Sequence, residues 1–415
     1  MIRGGDALPK RMETVPMKRR TLLTAAAFVP AMPYIARAAT NGVTDTEIRI
    51  GSTAAYSGPA SAYGAIGRAH TATWQWFNDQ GGVNGRKVKF LSYDDAYTPS
   101  KSVEQVRRLV EEDDVACLCN TLGTAANSGF LKYVNQKKVP HLFVGSGADK
   151  FQDPKNYPWT IGWQPSYRVE AQIFAKYALK EKPGAKIGIL YQNDDFGKDY
   201  LAGFRDVLKD NFDKAVTLAS YEVTDATIDS QAISLQQAKV DVLLTAATPK
   251  FAAQIIRKVA DMNWKPLHLL SNVSSSVGAV IEPAGRDKAI GLVCNTYYKD
   301  PSDPHWKDDP GIKLWREIMT KYLPGADLND AFYVYGAGAV MTMIPVLKQC
   351  GNDFSRENLL KQASNLKNVE VPTLLPGIRV NTSPTNYHTI GQVQMMRWSG
   401  KSWDLFGDVL AADAT

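Results

Sequence analysis

Apolar positions along this chain fall into two patterns that alternate. Short runs of strand type occur at Ile48–Thr53, Val88–Tyr93, Val115–Cys119 and His141–Val144. Between them, Gly67–Gln80, Lys101–Glu112 and Asn127–Lys137 carry apolar residues at helical spacing. Such alternation predicts βαβ units around a parallel sheet. The pattern then restarts. Strands are predicted at Lys186–Tyr191, Val216–Tyr221, Val240–Ala246, Leu267–Ser271 and Gly291–Tyr297. Helices are predicted over Lys198–Asp210, Ser230–Ala238 and Lys250–Met262. Farther on, Trp315–Tyr322 and Phe332–Gln349 read as helices, the second apolar enough for a core. Gly377–Asn381 and Gln392–Arg397 read as hairpin strands.

Polar, Pro-bearing stretches near 162–168 (GWQPSYR), 297–304 (YYKDPSDP) and 373–377 (TLLPG) punctuate the two sets. They offer three crossings between two α/β lobes. One lobe is expected over 44–164 plus 298–375, the other over 165–297 plus 376–411.

The N-terminus changes the charge picture. Met17-Lys18-Arg19-Arg20 opens a basic segment, Thr21–Ile35 is apolar, and Ala36-Arg37-Ala38 is an A-x-A site. That is the layout of a secretory signal over residues 1–38, with Arg19-Arg20 giving it twin-arginine character. Pro30 and Pro33 interrupt the apolar run, which falls short of the ~20 residues a membrane span needs. Residues 1–16 lack signal character, so Met17 is an alternative start. Cleavage near Ala38 predicts an exported, periplasmic chain of about 377 residues, long enough for two cores. The formal net charge of +6 falls to about +1 without the leader. The remaining Lys and Arg are interspersed with acids, which excludes a nucleic-acid footprint.

Catalytic chemistry finds little support. The five histidines show no HExxH spacing, and Gly145-Ser146-Gly147 is only a fragment of a nucleophile elbow. No Walker A or G-x-G-x-x-G motif is present, and no cofactor or metal is expected. Cys117 and Cys119 share a strand face, with Cys294 and Cys350 far away. Mostly unpaired, buried thiols are expected. Asp94-Asp95 reads as a strand-end pair that caps the next loop. What remains is a set of small-residue loops after strands: Ala55–Gly58, Thr121–Ala125 and Gly145–Gly147. Backbone N–H groups near helix starts favour an anion such as a carboxylate. In open α/β sheets, ligands bind at such edges.

The segments GSTAAYSGPASAYG, FNDQGGVNGRKVKFLSYDDAYTP, LGTAAN, YQNDDFGKDY and TPKFAAQIIRKVADMNWKP share order and spacing with one family. The chain resembles the extracellular solute-binding proteins of branched-chain amino acid ABC importers, over nearly all of its mature length. The resemblance implies a type I periplasmic-binding-protein fold: two doubly wound lobes with parallel central sheets, joined by three crossovers. It implies a monomer that captures a small solute between the lobes and delivers it to ABC permease subunits in the inner membrane. A sensing receptor on the same fold is the alternative, and a hydrolase a more distant one.

The resemblance also carries residues over. Thr124 and Gly145-Ser146-Gly147 match the family's carboxylate anchor, with Leu122, Gly123 and Ala125 beside them. Tyr63, Phe196 and Phe332 match aromatic walls, and Tyr56 and Trp163 are further wall candidates. The second-lobe acid that neutralises an amino acid's ammonium falls on Ser271-Asn272-Val273-Ser274, which holds none. The tyrosine expected near Thr248 is missing too. The family's first-lobe disulfide positions fall on Tyr97 and Gly123, so that bridge is absent. Burying an ammonium without a counter-charge costs several kcal/mol. Unless Asp194 or Asp195 replaces the acid, the expected ligand is a carboxylate without an α-amino group, aromatic before aliphatic.

Overall fold

The computed structural model describes residues 40–411. The expected leader, 1–38, lies outside the described residues. The first half alternates strand and helix as β1 (Glu47–Ala54), α1 (Gly64–Asp79), β2 (Lys87–Asp94), α2 (Pro99–Glu111), β3 (Cys117–Cys119), α3 (Thr124–Gln136), β4 (His141–Val144) and β5 (Thr160–Gly162). The strands form a parallel sheet in the order β2-β1-β3-β4-β5.

A second sheet follows. Its elements are α4 (Tyr167–Glu181), β6 (Ile187–Gln192), α5 (Asp195–Leu208), the one-turn α6 (Phe212–Ala215), β7 (Val216–Tyr221), α7 (Asp229–Gln237), β8 (Val242–Ala246), α8 (Pro249–Asp261), β9 (Leu267–Leu270), the short α9 (Glu282–Ala284) and β10 (Val293–Thr296). Helices α10 (Pro310–Tyr322), α11 (Ala331–Gln349) and α12 (Arg356–Ala363) come next, then β11 (Gln392–Trp398) and β12 (Trp403–Ala411). The order is β12-β11-β10-β9-β8-β6-β7, with β11 and β12 added antiparallel at one edge. In both sheets the chain reverses its winding direction beside the first strand, at β1/β3 and at β6/β8. That crevice is where doubly wound sheets receive ligands.

Helix α11 packs on α1 and anchors the first lobe. It is long and apolar enough to cross a membrane, yet 89% of that stretch is buried inside the protein. Gly336 permits the close crossing, because a Cβ there would lie 2.6 Å from the Ile66 carbonyl oxygen. All four cysteines are free and buried.

The structure corrects the C-terminal expectation. Gly377–Asn381 is not a hairpin strand: Val380 makes an isolated bridge to Val369. Gln392–Trp398 pairs with Trp403–Ala411, across the tight Ser399–Ser402 turn. The stretch near 162–168 is also more than a linker, since α4 begins inside it, capped by Ser166.

Candidate functional site

The β1 loop is shaped by Asp94. Its Oδ1 accepts from Tyr56 N (2.9 Å) and Ser57 N (3.1 Å). Burial would raise this carboxyl, but the hydrogen bonds from Ser57, Ala96 and Tyr56 outweigh it and hold it below its ordinary value. Asp95 accepts from Tyr97 N at 2.8 Å and from Ser102 Oγ at 2.9 Å. The pair thus caps the loop, as the sequence suggested. It also fixes Ala96 and Tyr97 in the left-handed region, φ 50° and 57°. Two successive non-glycine residues there store strain. The result is that Tyr97 turns into the cleft, its ring seated on Gly123, where a Cβ would approach to 2.7 Å. The positions of the family's disulfide are therefore filled by a ring resting on a glycine.

Thr124 opens α3. Gly123 precedes it with φ 97°, and no side chain caps the helix. The first-turn N–H groups, including that of Ala125, are left for another acceptor. Thr124 Oγ1 is hydrogen-bonded to Ser146 Oγ at 2.7 Å, and Ser146 Oγ accepts from Ala148 N at 3.2 Å.

Across the cleft, Asp194 caps α5 through Phe196 N and receives Gln192 Nε2 at 2.7 Å. Burial pushes its carboxyl up to about 6. Asp195 is ion-paired with Lys150. Thr248 precedes α8, its N–H donating to the Tyr221 hydroxyl at 2.9 Å. Asn272 follows β9 and is held by Glu170: its N and Nδ2 donate to the two carboxyl oxygens at 2.9 and 2.7 Å. Burial pushes Glu170 up to about 8.

These loops enclose one pocket. Tyr63, Leu122, Gly123, Thr124 and Gly145 line it from the first sheet; Phe196, Thr248, Asn272 and Val273 line it from the second; Phe332 closes it from α11. Ten of the thirteen expected site residues therefore meet. Ala125, Ser146 and Gly147 do not line it, and neither do Asp194 and Asp195. The wall candidates Tyr56 and Trp163 are also displaced. The Tyr56 hydroxyl pairs with Ser92 against Gly67, and Trp163 Nε1 donates to Thr342 behind the pocket.

Sequence reasoning missed seven liners: Ile66, Tyr97, Gln164, Tyr167, Tyr297, Tyr298 and Tyr335. Four of them sit in the stretches read as linkers. Tyr63 packs its ring at a tilt against Phe332 (centroids 5.0 Å apart) and sends its hydroxyl to the Val273 carbonyl oxygen at 3.1 Å, so the lobes touch across the pocket. Little free space is left inside, room for one or two waters. No charged side chain lines it, and no cluster of metal-ligating residues occurs among the described residues.

Two facing sheet edges with a largely aromatic, uncharged cleft between them define a two-lobed small-molecule binding protein. The sequence model of a periplasmic binding protein family matches residues 47–402, and the chain belongs to that family. It is 21% identical over 346 residues to "Leu/Ile/Val-binding protein homolog 1" of Brucella suis, covering 82% of this chain and 86% of that one. A branched-chain amino acid ABC transporter structure from Thermus thermophilus with bound valine superposes with TM-score 0.78 at 17% identity, covering 89% and 97%. A fatty acid ABC transporter substrate-binding protein from Thermomonospora curvata gives TM-score 0.74 at 21% identity, covering 91% and 96%. These solved structures share the type I two-lobed fold with this chain.

Proposed function

We propose that this chain is the solute-capturing component of an ABC importer. It is exported by the leader at 1–38, works in the periplasm, and hands its ligand to permease subunits in the inner membrane. The lobes comprise 44–164 with 298–375 and 165–297 with 376–411. Within the latter, residues 380–389 bond to the first lobe: Val380 bridges Val369, and Tyr387 and Thr389 donate to the Pro158 and Gly162 carbonyl oxygens.

The ligand is a small carboxylate lacking an α-amino group, aromatic before aliphatic. The uncharged lining carries this reading. An amino acid's ammonium would meet no carboxylate there, at a cost of several kcal/mol. The acids nearest the second-lobe loops are engaged elsewhere: Asp194 caps α5, Asp195 pairs with Lys150, and Glu170 lies behind Asn272. The carboxylate sits at the α3 N-terminus beside Thr124. Aromatic rings flank the body, as flat ligands favour. The relative named for fatty acids supports a ligand without an amino group on this fold.

A branched-chain amino acid is the second reading, favoured by relatives named for leucine, isoleucine and valine. Mass spectrometry of ligand released from the purified protein separates the two. Recovery of an unmodified aromatic or aliphatic acid is expected. Recovery of leucine, isoleucine or valine alone would replace the first reading with the second, and a chemically altered added ligand would point to an enzyme.

A further inference from the structure

The carboxylate anchor expected at Gly145-Ser146-Gly147 is covered by a side chain from the hinge. Tyr167 begins α4, immediately after the crossing between lobes, and its N–H donates to the Gly147 carbonyl oxygen at 2.9 Å. Its ring lies over Gly147, where a Cβ would meet ring carbons at 2.9 Å and the Pro165 carbonyl oxygen at 2.3 Å. Gly147 does not have positive φ. The glycine is thus required by what packs on it and not by its own backbone.

The phenol oxygen ends where the anchor begins. It accepts from Gln164 Nε2 at 3.1 Å. Burial raises the phenol above its ordinary value, and the neighbouring Gly147 N–H and the Ser146 and Thr124 hydroxyls offset only part of that rise. Gln164 is held in turn by the Tyr335 hydroxyl, which donates to its Oε1 at 2.9 Å. Tyr167 and Thr124 reach the pocket surface, whereas Ser146 and Gly147 lie behind them.

We propose that Tyr167 is a ligand-binding residue that selects for an acid group, which docks on the Tyr167 and Thr124 hydroxyls, both on the pocket surface, instead of on the Ser146–Gly147 loop. An oxygen that accepts from Gln164 still has one hydrogen to donate, and an anion docked beside Thr124 is a stronger acceptor for it than a neighbouring hydroxyl. A hydrogen bond to a charged group is worth at least tenfold in affinity. A neutral amide of the same shape presents less charge to that donor and offers it a weaker bond. This assignment rests on the acid-binding reading above, but not on which acid.

The test is calorimetry of the full mature chain and of Tyr167→Phe with two matched pairs, benzoate against benzamide and L-leucine against L-leucinamide. Phenylalanine keeps the ring on Gly147 and removes only the hydroxyl. In whichever pair binds, the variant is expected to lose acid affinity about tenfold or more while amide affinity stays within about twofold. An unchanged acid-to-amide ratio, or tighter acid binding by the variant, overturns the assignment. Binding by leucine and not benzoate overturns the ligand class alone, and the ratio in that pair still decides Tyr167. If neither acid binds the wild-type chain, the assignment falls together with the acid reading.

Discussion

Glu170 and Asn272 decide what the second lobe offers a ligand. The carboxyl is spent on Asn272, so the loop after β9 presents an amide and no charge. Burial lifts Glu170 from an ordinary 4.5 to about 8. Between these values the folded chain holds a proton that the unfolded chain has released. Stability therefore falls as pH rises through that window, by about 1.4 kcal/mol per pH unit for one such group. The buried histidines His70, His141 and His268 act in the opposite sense, because burial lowers them to about 4, 3 and 3. Their contribution is complete above the unfolded value of 6.5, so pH 6.5–8 isolates the carboxyls. There, among the described residues, only Asp199, raised by burial to about 7, adds substantially to Glu170. The melting temperature is expected to fall from pH 6.5 to 8, and Glu170→Gln to flatten that slope. An equal slope in wild type and variant would refute this assignment. For Thr124, calorimetry of Thr124→Val with benzoate is expected to show a loss of about tenfold or more. Wild-type affinity would remove Thr124 from the site.

At the scale of elements, the site stands on strand-to-helix turns, and how legible each was follows from its local signal. Leu122, Gly123, Thr124 and Gly145 were visible as small-residue loops after apolar strand runs, whereas Tyr63, Phe196, Thr248, Asn272, Val273 and Phe332 came only with the family resemblance. The seven missed liners had neither signal. Gln164, Tyr167, Tyr297 and Tyr298 lie in polar, Pro-bearing segments that look like connections. They reach the pocket only because the chain changes lobes there, which is a tertiary fact. Tyr335 is lost within an apolar helix, and Glu170 pairs with a residue 102 positions away. The tail misled for a similar reason. Gly377–Asn381 has strand-like residues, but β11 finds its partner in the later β12. The close contact of α1 with α11 gives a stability prediction. Gly336→Ala would push a methyl to 2.6 Å from the Ile66 carbonyl oxygen. Overpacking of this kind costs roughly 1–3 kcal/mol, and denaturant unfolding is expected to show it. A variant as stable as wild type would mean the helices part freely.

On the scale of the whole molecule, the two lobes are fastened on several sides of the pocket. Lys150 pairs with Asp195, and Asp149 N donates to Asp199 at 3.1 Å. Ser276 Oγ donates to Asp330 at 2.8 Å, and Tyr63 reaches Val273. The cleft between them has little free space, so a benzoate-sized body is expected to need movement of the lobes or of the rings between them. Small-angle scattering is expected to give a larger radius of gyration for the ligand-free chain than with saturating ligand; equal radii would oppose lobe closure on binding. The central claim is that an uncharged, aromatic cleft receives a carboxylate without a neighbouring ammonium. Its most direct test is a thermal-shift screen of the mature chain with benzoates, phenylpropenoates, aliphatic diacids and α-amino acids under one buffer. Stabilisation by an aromatic acid is expected, with leucine and valine at least tenfold weaker. Stabilisation by α-amino acids alone would contradict it.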